Sequence, residues 1–118
     1  MFRVIIAGTR TFENYSLLCE YVDFKLSKVD DEIEIVSGGA RGADLLGERY
    51  AKEHGYKLRV FPAQWSIYGK RSGPMRNAKM AKYADALIVL WDGKSPGTKN
   101  MIDEAKKNGL KIAVKMFV

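Results

Sequence analysis

Three short segments of this chain combine small residues, hydroxyls and arginines in the way an anion cradle requires. They are Gly8-Thr9-Arg10, Ser37-Gly38-Gly39-Ala40-Arg41-Gly42-Ala43-Asp44 and Ser95-Pro96-Gly97-Thr98. Each follows a short apolar run and precedes a helical stretch. Glycine lets a backbone approach a ligand closely. The free N–H groups of a helix that starts there point at an anion, and the helix dipole favours negative charge. Arg10, Arg41 and Arg76 would then neutralise a phosphate through charge-assisted hydrogen bonds, which are stronger than neutral ones. The plain alternative is that these glycines serve tight turns and nothing more.

A fourth segment, Tyr68-Gly69-Lys70-Arg71-Ser72-Gly73-Pro74-Met75-Arg76-Asn77, is more specific. Pro74 suits the first position of a helix, which places Arg76 and Asn77 in its first turn. A cation there opposes the dipole, so the arginine is either an ordinary surface residue or the partner of an anion or carboxylate. Trp65 and Tyr68 just upstream offer aromatic faces on which a base can stack. Asp44 falls in the first turn of another helix, where it serves the dipole or bonds a ribose hydroxyl. Asp92 is open in the same way. His54 reads as a helix-end residue rather than a catalytic base. The chain contains neither GxGxxG nor GxxxxGK[ST], and no HxE…CxxC or GxSxG. No catalytic residue is therefore assigned, and no cofactor is expected. With one cysteine, Cys19, and one histidine, neither an internal disulfide nor a metal site is expected.

The elements that must position these residues follow from periodicity. Strands are expected at Arg3–Ala7, Ile33–Val36, Lys57–Phe61, Ala86–Trp91 and Lys111–Val114. Helices are expected at Tyr15–Lys28, Ala43–His54, Pro74–Ala84 and Lys99–Asn108, with Gly55 and Gly109 as stops. Pro62–Gly73 shows no periodicity and reads as a long loop. Strands alternating with helices imply an α/β fold, a three-layer Rossmann-like arrangement of a five-stranded, mostly parallel sheet with helices on both faces. Such a sheet brings all three small-residue turns to its carboxyl edge, where ligands bind.

Length and composition agree with one domain over residues 1–118. The hydrophobic fraction of 47% and charged fraction of 29% are those of a globular chain. No apolar run is long enough to span a bilayer, and a cytoplasmic location with no membrane partner is expected. The net charge of +6 is uneven. Up to Gly69 the chain holds nine Lys/Arg and ten Asp/Glu; from Lys70 onward it holds eleven and four. A basic second half suggests anionic partners, or simply solvated helix faces.

Taken in order, Ile5-Ile6-Ala7-Gly8-Thr9-Arg10, Ser37 to Asp44, Phe61-Pro62-Ala63-Gln64-Trp65, Tyr68-Gly69-Lys70, Gly73 to Asn77 and Gly97-Thr98 resemble the YspA/YpsA-related branch of the SLOG superfamily. That superfamily also holds the Lonely Guy phosphoribohydrolases and the DNA-processing protein A family. The resemblance implies a Rossmann-like fold that senses or processes a nucleotide-derived ligand. It also implies that Arg76 is the ligand-binding arginine, with Asn77 in place of the lysine that follows. Lonely Guy enzymes carry PGGxGTxxE. Aligned on Gly97-Thr98, this chain has Gly93, Lys94 and Ser95 in place of Pro-Gly-Gly, and Met101 in place of the catalytic glutamate.

The expectation is therefore a module that binds a nucleotide or nucleotide-derived phosphate through Gly8, Thr9, Arg10, Ser37, Gly38, Gly39, Arg41, Asp44, Trp65, Tyr68, Arg76, Asn77, Gly97 and Thr98. One alternative is an enzyme that hydrolyses an N-glycosidic or phosphoribosyl bond with Asp44 or Asp92 as its carboxylate. A second is single-stranded DNA binding through the basic half and the aromatics. Assembly into a homo-oligomer is a further expectation.

Overall fold

Residues 1–117 are described by a computed structural model. The apolar runs form five parallel strands: β1 (Phe2–Gly8), β2 (Ile33–Ser37), β3 (Lys57–Val60), β4 (Ala86–Trp91) and β5 (Lys111–Met116). Their order in the sheet is β3-β2-β1-β4-β5. The chain thus builds outward from β1 on one side and resumes on its other side with β4. The strand order reverses between β1 and β4, the point where open α/β sheets leave a crevice beyond the strand ends. Pairing Gly8 with Leu90 brings the turns after these two strands level with one another.

Side chains alternate along β1 and so feed two separate cores. Val4 and Ile6 pack with α1 (Tyr15–Leu26) and α2 (Ala43–His54), chiefly against Leu18, Val22, Tyr50 and Ala51. Ile5 and Ala7 pack on the opposite face with α4 (Ser72–Tyr83) and α5 (Pro96–Lys107), against Met80, Ala81, Met101, Ile102 and Ala105. The three-layer arrangement expected from the sequence is the one observed, and every strand pairing is parallel. α2 lies close to the sheet because a Cβ at Gly47 would sit 2.8 Å from Ile6.

Local signals set the helix ends. The Asn14 side chain accepts from the Leu17 amide at 3.0 Å and starts α1. Ser27 follows Leu26 as the cap, its hydroxyl donating to the Phe24 carbonyl, so α1 stops short of the expected Lys28. α2 ends on Gly55 in the left-handed conformation.

Two expected boundaries are wrong in a way that matters for the site. Pro62–Gly73 is not a plain loop: it contains α3 (Trp65–Tyr68) and a 3₁₀ turn (Gly69–Arg71), and α4 begins at Ser72. Pro74 is tolerated there because the first helical turn needs no N–H from it. Arg76 and Asn77 consequently lie beyond the first turn of α4. α5 begins at Pro96 rather than Lys99, with proline at its first position. Gly97 and Thr98, read as part of a turn, belong to the helix's first turn. No helix among the described residues is long and apolar enough to cross a membrane.

Candidate functional site

The turn after β1 forms the floor of a cleft at the strand-order reversal. A Cβ at Gly8 would lie 2.1 Å from the Leu90 carbonyl oxygen and 2.9 Å from Ala43 Cβ, so only glycine fits between β4 and the start of α2. Thr9 is buried, and its amide donates to the Leu90 carbonyl at 3.0 Å. Its Oγ1 accepts the Asp92 amide at 3.1 Å and lies 3.3 Å from the Ser95 hydroxyl. Asp92 organises the next turn, accepting the Lys94 and Ser95 amides at 2.9 and 2.8 Å and the Ser95 hydroxyl at 3.1 Å. The Ser95 and Lys94 amides hold its carboxyl below the usual carboxylate range.

This network leaves the first-turn amides of α5 without a side-chain cap. Ser95 stands at the N-cap position, yet its hydroxyl goes to Asp92 instead of capping. The Gly97 and Thr98 amides lie in the first turn, where a helix offers no internal acceptor. Thr98 is only 6% exposed and lines the cleft. Its hydroxyl has no hydrogen-bond partner among the described residues. Beyond its chain neighbours and its own helix backbone, nothing lies within 4 Å of the position a Cβ would take at Gly97, so the backbone there is open to an approaching group.

Across the cleft, α4 supplies Arg76. Its Nη1 donates to the Gly38 carbonyl, and its Nε donates to Asn77 Oδ1 at 3.0 Å. Asn77 in turn donates through Nδ2 to Asn100 Oδ1 at 2.9 Å and to the Gly97 carbonyl at 3.3 Å. Asn77 therefore ties the arginine to the start of α5, and its side-chain atoms are engaged within the protein. Asp44 is 5% exposed at the start of α2 and accepts the Ala40 amide at 3.4 Å. Burial pushes its carboxyl up to about 6, against the opposing pull of Arg76 and of the Ala40 and Gly8 amides. Burial also lowers the Arg76 guanidinium, which Asp44 opposes and Arg10 reinforces. The cation on α4 is thus explained by a carboxylate and a carbonyl, without appeal to the helix dipole.

The resulting cleft encloses about 620 Å³ and brings together Gly8, Thr9, Arg10, Asp44, Trp65, Arg76, Asn77, Gly97 and Thr98. A second hollow of about 380 Å³ adjoins it and takes in Gly38, Gly39 and Arg41, sharing Arg10, Ala40, Trp65 and Arg76 with the first. Two expected residues lie apart. Tyr68 lines neither hollow. Ser37 is fully buried, its hydroxyl bonded to Glu48 at 2.8 Å and accepting the Gly39 amide at 3.0 Å, so it shapes the turn from within. Ser95, Asn100 and Lys70 also line the cleft; Ser95 and Lys70 fall within the segments the sequence marks but not among the expected binding residues, and Asn100 lies outside them. Asn100 lies two residues after Thr98 and three after Gly97, within one helical turn of both, which is the available signal. Asp44 and Asp92 are the carboxylates of the cleft wall, and Met101 is buried at its floor. Asp103 and Glu104 pair with Lys99 and Lys107 instead. No group of three or more His, Cys, Asp or Glu that could hold a metal occurs among the described residues.

Comparison with known proteins agrees with this architecture. The gene 61 protein of Mycobacterium phage D29 is 30% identical, over 95% of this chain and 94% of its own length. The X-ray structure of DNA processing protein A (DprA) from Streptococcus pneumoniae superposes with a TM-score of 0.73 at 18% identity, covering 96% of this chain. This chain spans about half (49%) of that protein. The model of the YspA, cpYpsA-related SLOG family matches residues 2–68, and this chain belongs to that family.

Proposed function

We propose that the cleft binds a nucleotide or nucleotide-derived phosphate, with the phosphate at the start of α5. The observation that carries this reading is the set of donors without a protein acceptor among the described residues: the Gly97 and Thr98 first-turn amides and the Thr98 hydroxyl, on two residues that line the cleft. Backbone amides at a helix start, aided by the dipole, suit a phosphate. Arg76 on the facing wall adds positive potential, and membership of the SLOG family supports a nucleotide-related ligand. The volume is within the range of small-molecule sites, about 300–1,000 Å³. The half-exposed Trp65 indole at the rim offers a stacking surface for a base.

One observation favours a second reading, cleavage of an N-glycosidic bond. Asp44 is a buried carboxyl near pH 6 on the cleft wall, the kind of tuned group that can transfer a proton. Its engagement with the Ala40 amide and its closeness to Arg76 weigh against it. So does Met101, which stands where the related hydrolases carry glutamate and cannot move a proton. Binding without turnover is the primary reading.

Titration calorimetry with adenosine monophosphate and inorganic phosphate tests it. Binding is expected, and Thr98→Val is expected to weaken it about tenfold with an unchanged melting temperature, consistent with losing a hydrogen bond to a charged group. Equal affinity of wild type and Thr98→Val, or no binding at millimolar ligand, would remove the α5 phosphate site. Release of free base, abolished by Asp44→Asn in a folded variant, would instead establish the second reading.

A further inference from the structure

We propose that the two adjoining hollows form one site with two anion subsites, so that its ligand is a nucleoside flanked by two phosphates. One phosphate sits at the start of α5 and the other between Arg10 and Arg41, with the intervening base against Trp65. This rests on the reading of the α5 phosphate site above and adds the class of ligand.

Charge is the first argument. The second hollow is walled by Arg10, Arg41 and Arg76 and by no acidic residue. Arg76 is already engaged by Gly38, Asn77 and the nearby Asp44. Arg10 and Arg41 are exposed and make no ion pair or hydrogen bond among the described residues, as is also true of Arg59 and Arg71, but Arg10 and Arg41 share one hollow and those two do not line it. Two unpaired guanidiniums on one concave wall match a bidentate phosphate acceptor.

Shape is the second argument. Gly39, at φ +74°, sits on the wall of this hollow, and a Cβ there would meet only Val60 Cγ1, at 3.4 Å. The backbone is therefore accessible in the hollow that the two arginines line. Trp65 belongs to both hollows. Its ring is seated on Gly73, where an added Cβ would come within 3.2 Å of it. The Arg10 guanidinium lies 5.9 Å from the ring centroid on the same rim. An indole held in place and still 49% exposed, between two anion-binding walls, fits a base whose 5′ and 3′ phosphates diverge. A mononucleotide confined to the first cleft would reach Arg10 but leave Arg41, which lines only the second hollow, unused. The same chemistry occurs in a free nucleoside bisphosphate and at the 5′-phosphorylated end of a nucleic-acid strand.

Calorimetry at fixed ionic strength with the full chain tests this. The probes are thymidine 5′-monophosphate, thymidine 3′,5′-bisphosphate and a thymidine hexanucleotide with and without a 5′-phosphate. The bisphosphate is expected to bind at least tenfold more tightly than the monophosphate. In the Arg10→Ala/Arg41→Ala double variant that ratio should fall to within twofold of one. The Arg10→Lys/Arg41→Lys variant should keep part of it, because charge is retained and the planar fork is lost. A ratio of one in the wild type, or a ratio unchanged in the alanine variant, overturns the second subsite while monophosphate binding leaves the first standing. Binding of neither nucleotide overturns both. A hexanucleotide that binds as the bisphosphate does, and only when 5′-phosphorylated, supports the two subsites with a strand end as the source. If the bisphosphate alone binds, a free nucleotide is the source. A hexanucleotide that binds equally without its 5′-phosphate, with steep salt dependence, overturns the proposal in favour of backbone tracking.

Discussion

Arg76 joins the walls of the cleft to one another. It holds the Gly38 carbonyl of one turn, stands near Asp44 at the head of α2, and orients Asn77, which grips α5. Arg76→Ala is expected to lose about 1.5–3 kcal/mol of stability, because a charge-assisted bond goes and the Gly38 carbonyl and Asn77 amide oxygen lose their donor. Urea unfolding measures this. Arg76→Lys should recover little of it, since an ammonium cannot serve Gly38 and Asn77 from one planar fork. Asp44 makes a separate, pH-dependent prediction. Its folded value of about 6 lies above the ordinary 3.8, so the unfolded chain gives up this proton first. Stability from this group is therefore complete below about pH 4 and is lost as pH rises through 6. The differential is about 3 kcal/mol as an order of magnitude. Relative to Asp44→Asn, the wild type should become steadily less stable between pH 4 and 7, and NMR titration of the Asp44 carboxyl should centre near 6. A midpoint near 4 would show that Arg76 and the amides outweigh burial.

At the scale of elements, two glycines that look alike in sequence do opposite things. Gly8 closes the β1 turn against β4, and a methyl group would strike the Leu90 carbonyl. Gly8→Ala should therefore destabilise by more than about 3 kcal/mol or prevent folding, since backbone rather than a flexible side chain must move. Gly97 lies in the first turn of α5 facing open space. Gly97→Ala should hold or raise the melting temperature, because alanine is the better helix former by up to about 1 kcal/mol, yet should weaken phosphate binding by crowding the approach to the amides. Melting curves and phosphate titrations on the two variants separate a glycine needed by the fold from one needed by the ligand. The start of α4 shows why the helix boundary was misread. Pro74 and Gly73 signal an interruption, but Ser72 donates its hydroxyl to the Gln64 carbonyl at 2.9 Å and Gly73 takes the Trp65 ring. That packing extends the helix backward.

For the whole molecule, the order β3-β2-β1-β4-β5 places the cleft between β1 and β4, with α4 and α5 closing one side and α2 the other. The sequence by itself determined much of this. Short strand-like segments such as Arg3–Ala7 and Ala86–Trp91, alternating with helical periodicity, admit a parallel sheet with helices on its faces, and such a sheet gathers its strand-to-helix turns at one edge. These signals are local, so the sequence alone makes Gly8-Thr9, Gly38 to Asp44 and Gly97-Thr98 neighbours at that edge. Only the tertiary structure decided which polar groups remain free for a ligand. Thr9 meets Ser95 across 86 positions, Arg76 meets Gly38 across 38, and Asn77 meets Asn100 across 23. No local pattern shows that Ser37 and Asn77 bond Glu48 and Asn100 while Thr98, Arg10 and Arg41 have no side-chain hydrogen bond among the described residues. A hydrogen bond is exclusive and short-ranged, so its assignment depends on the last ångströms of packing between distant segments, whereas a strand or a turn is written in adjacent residues.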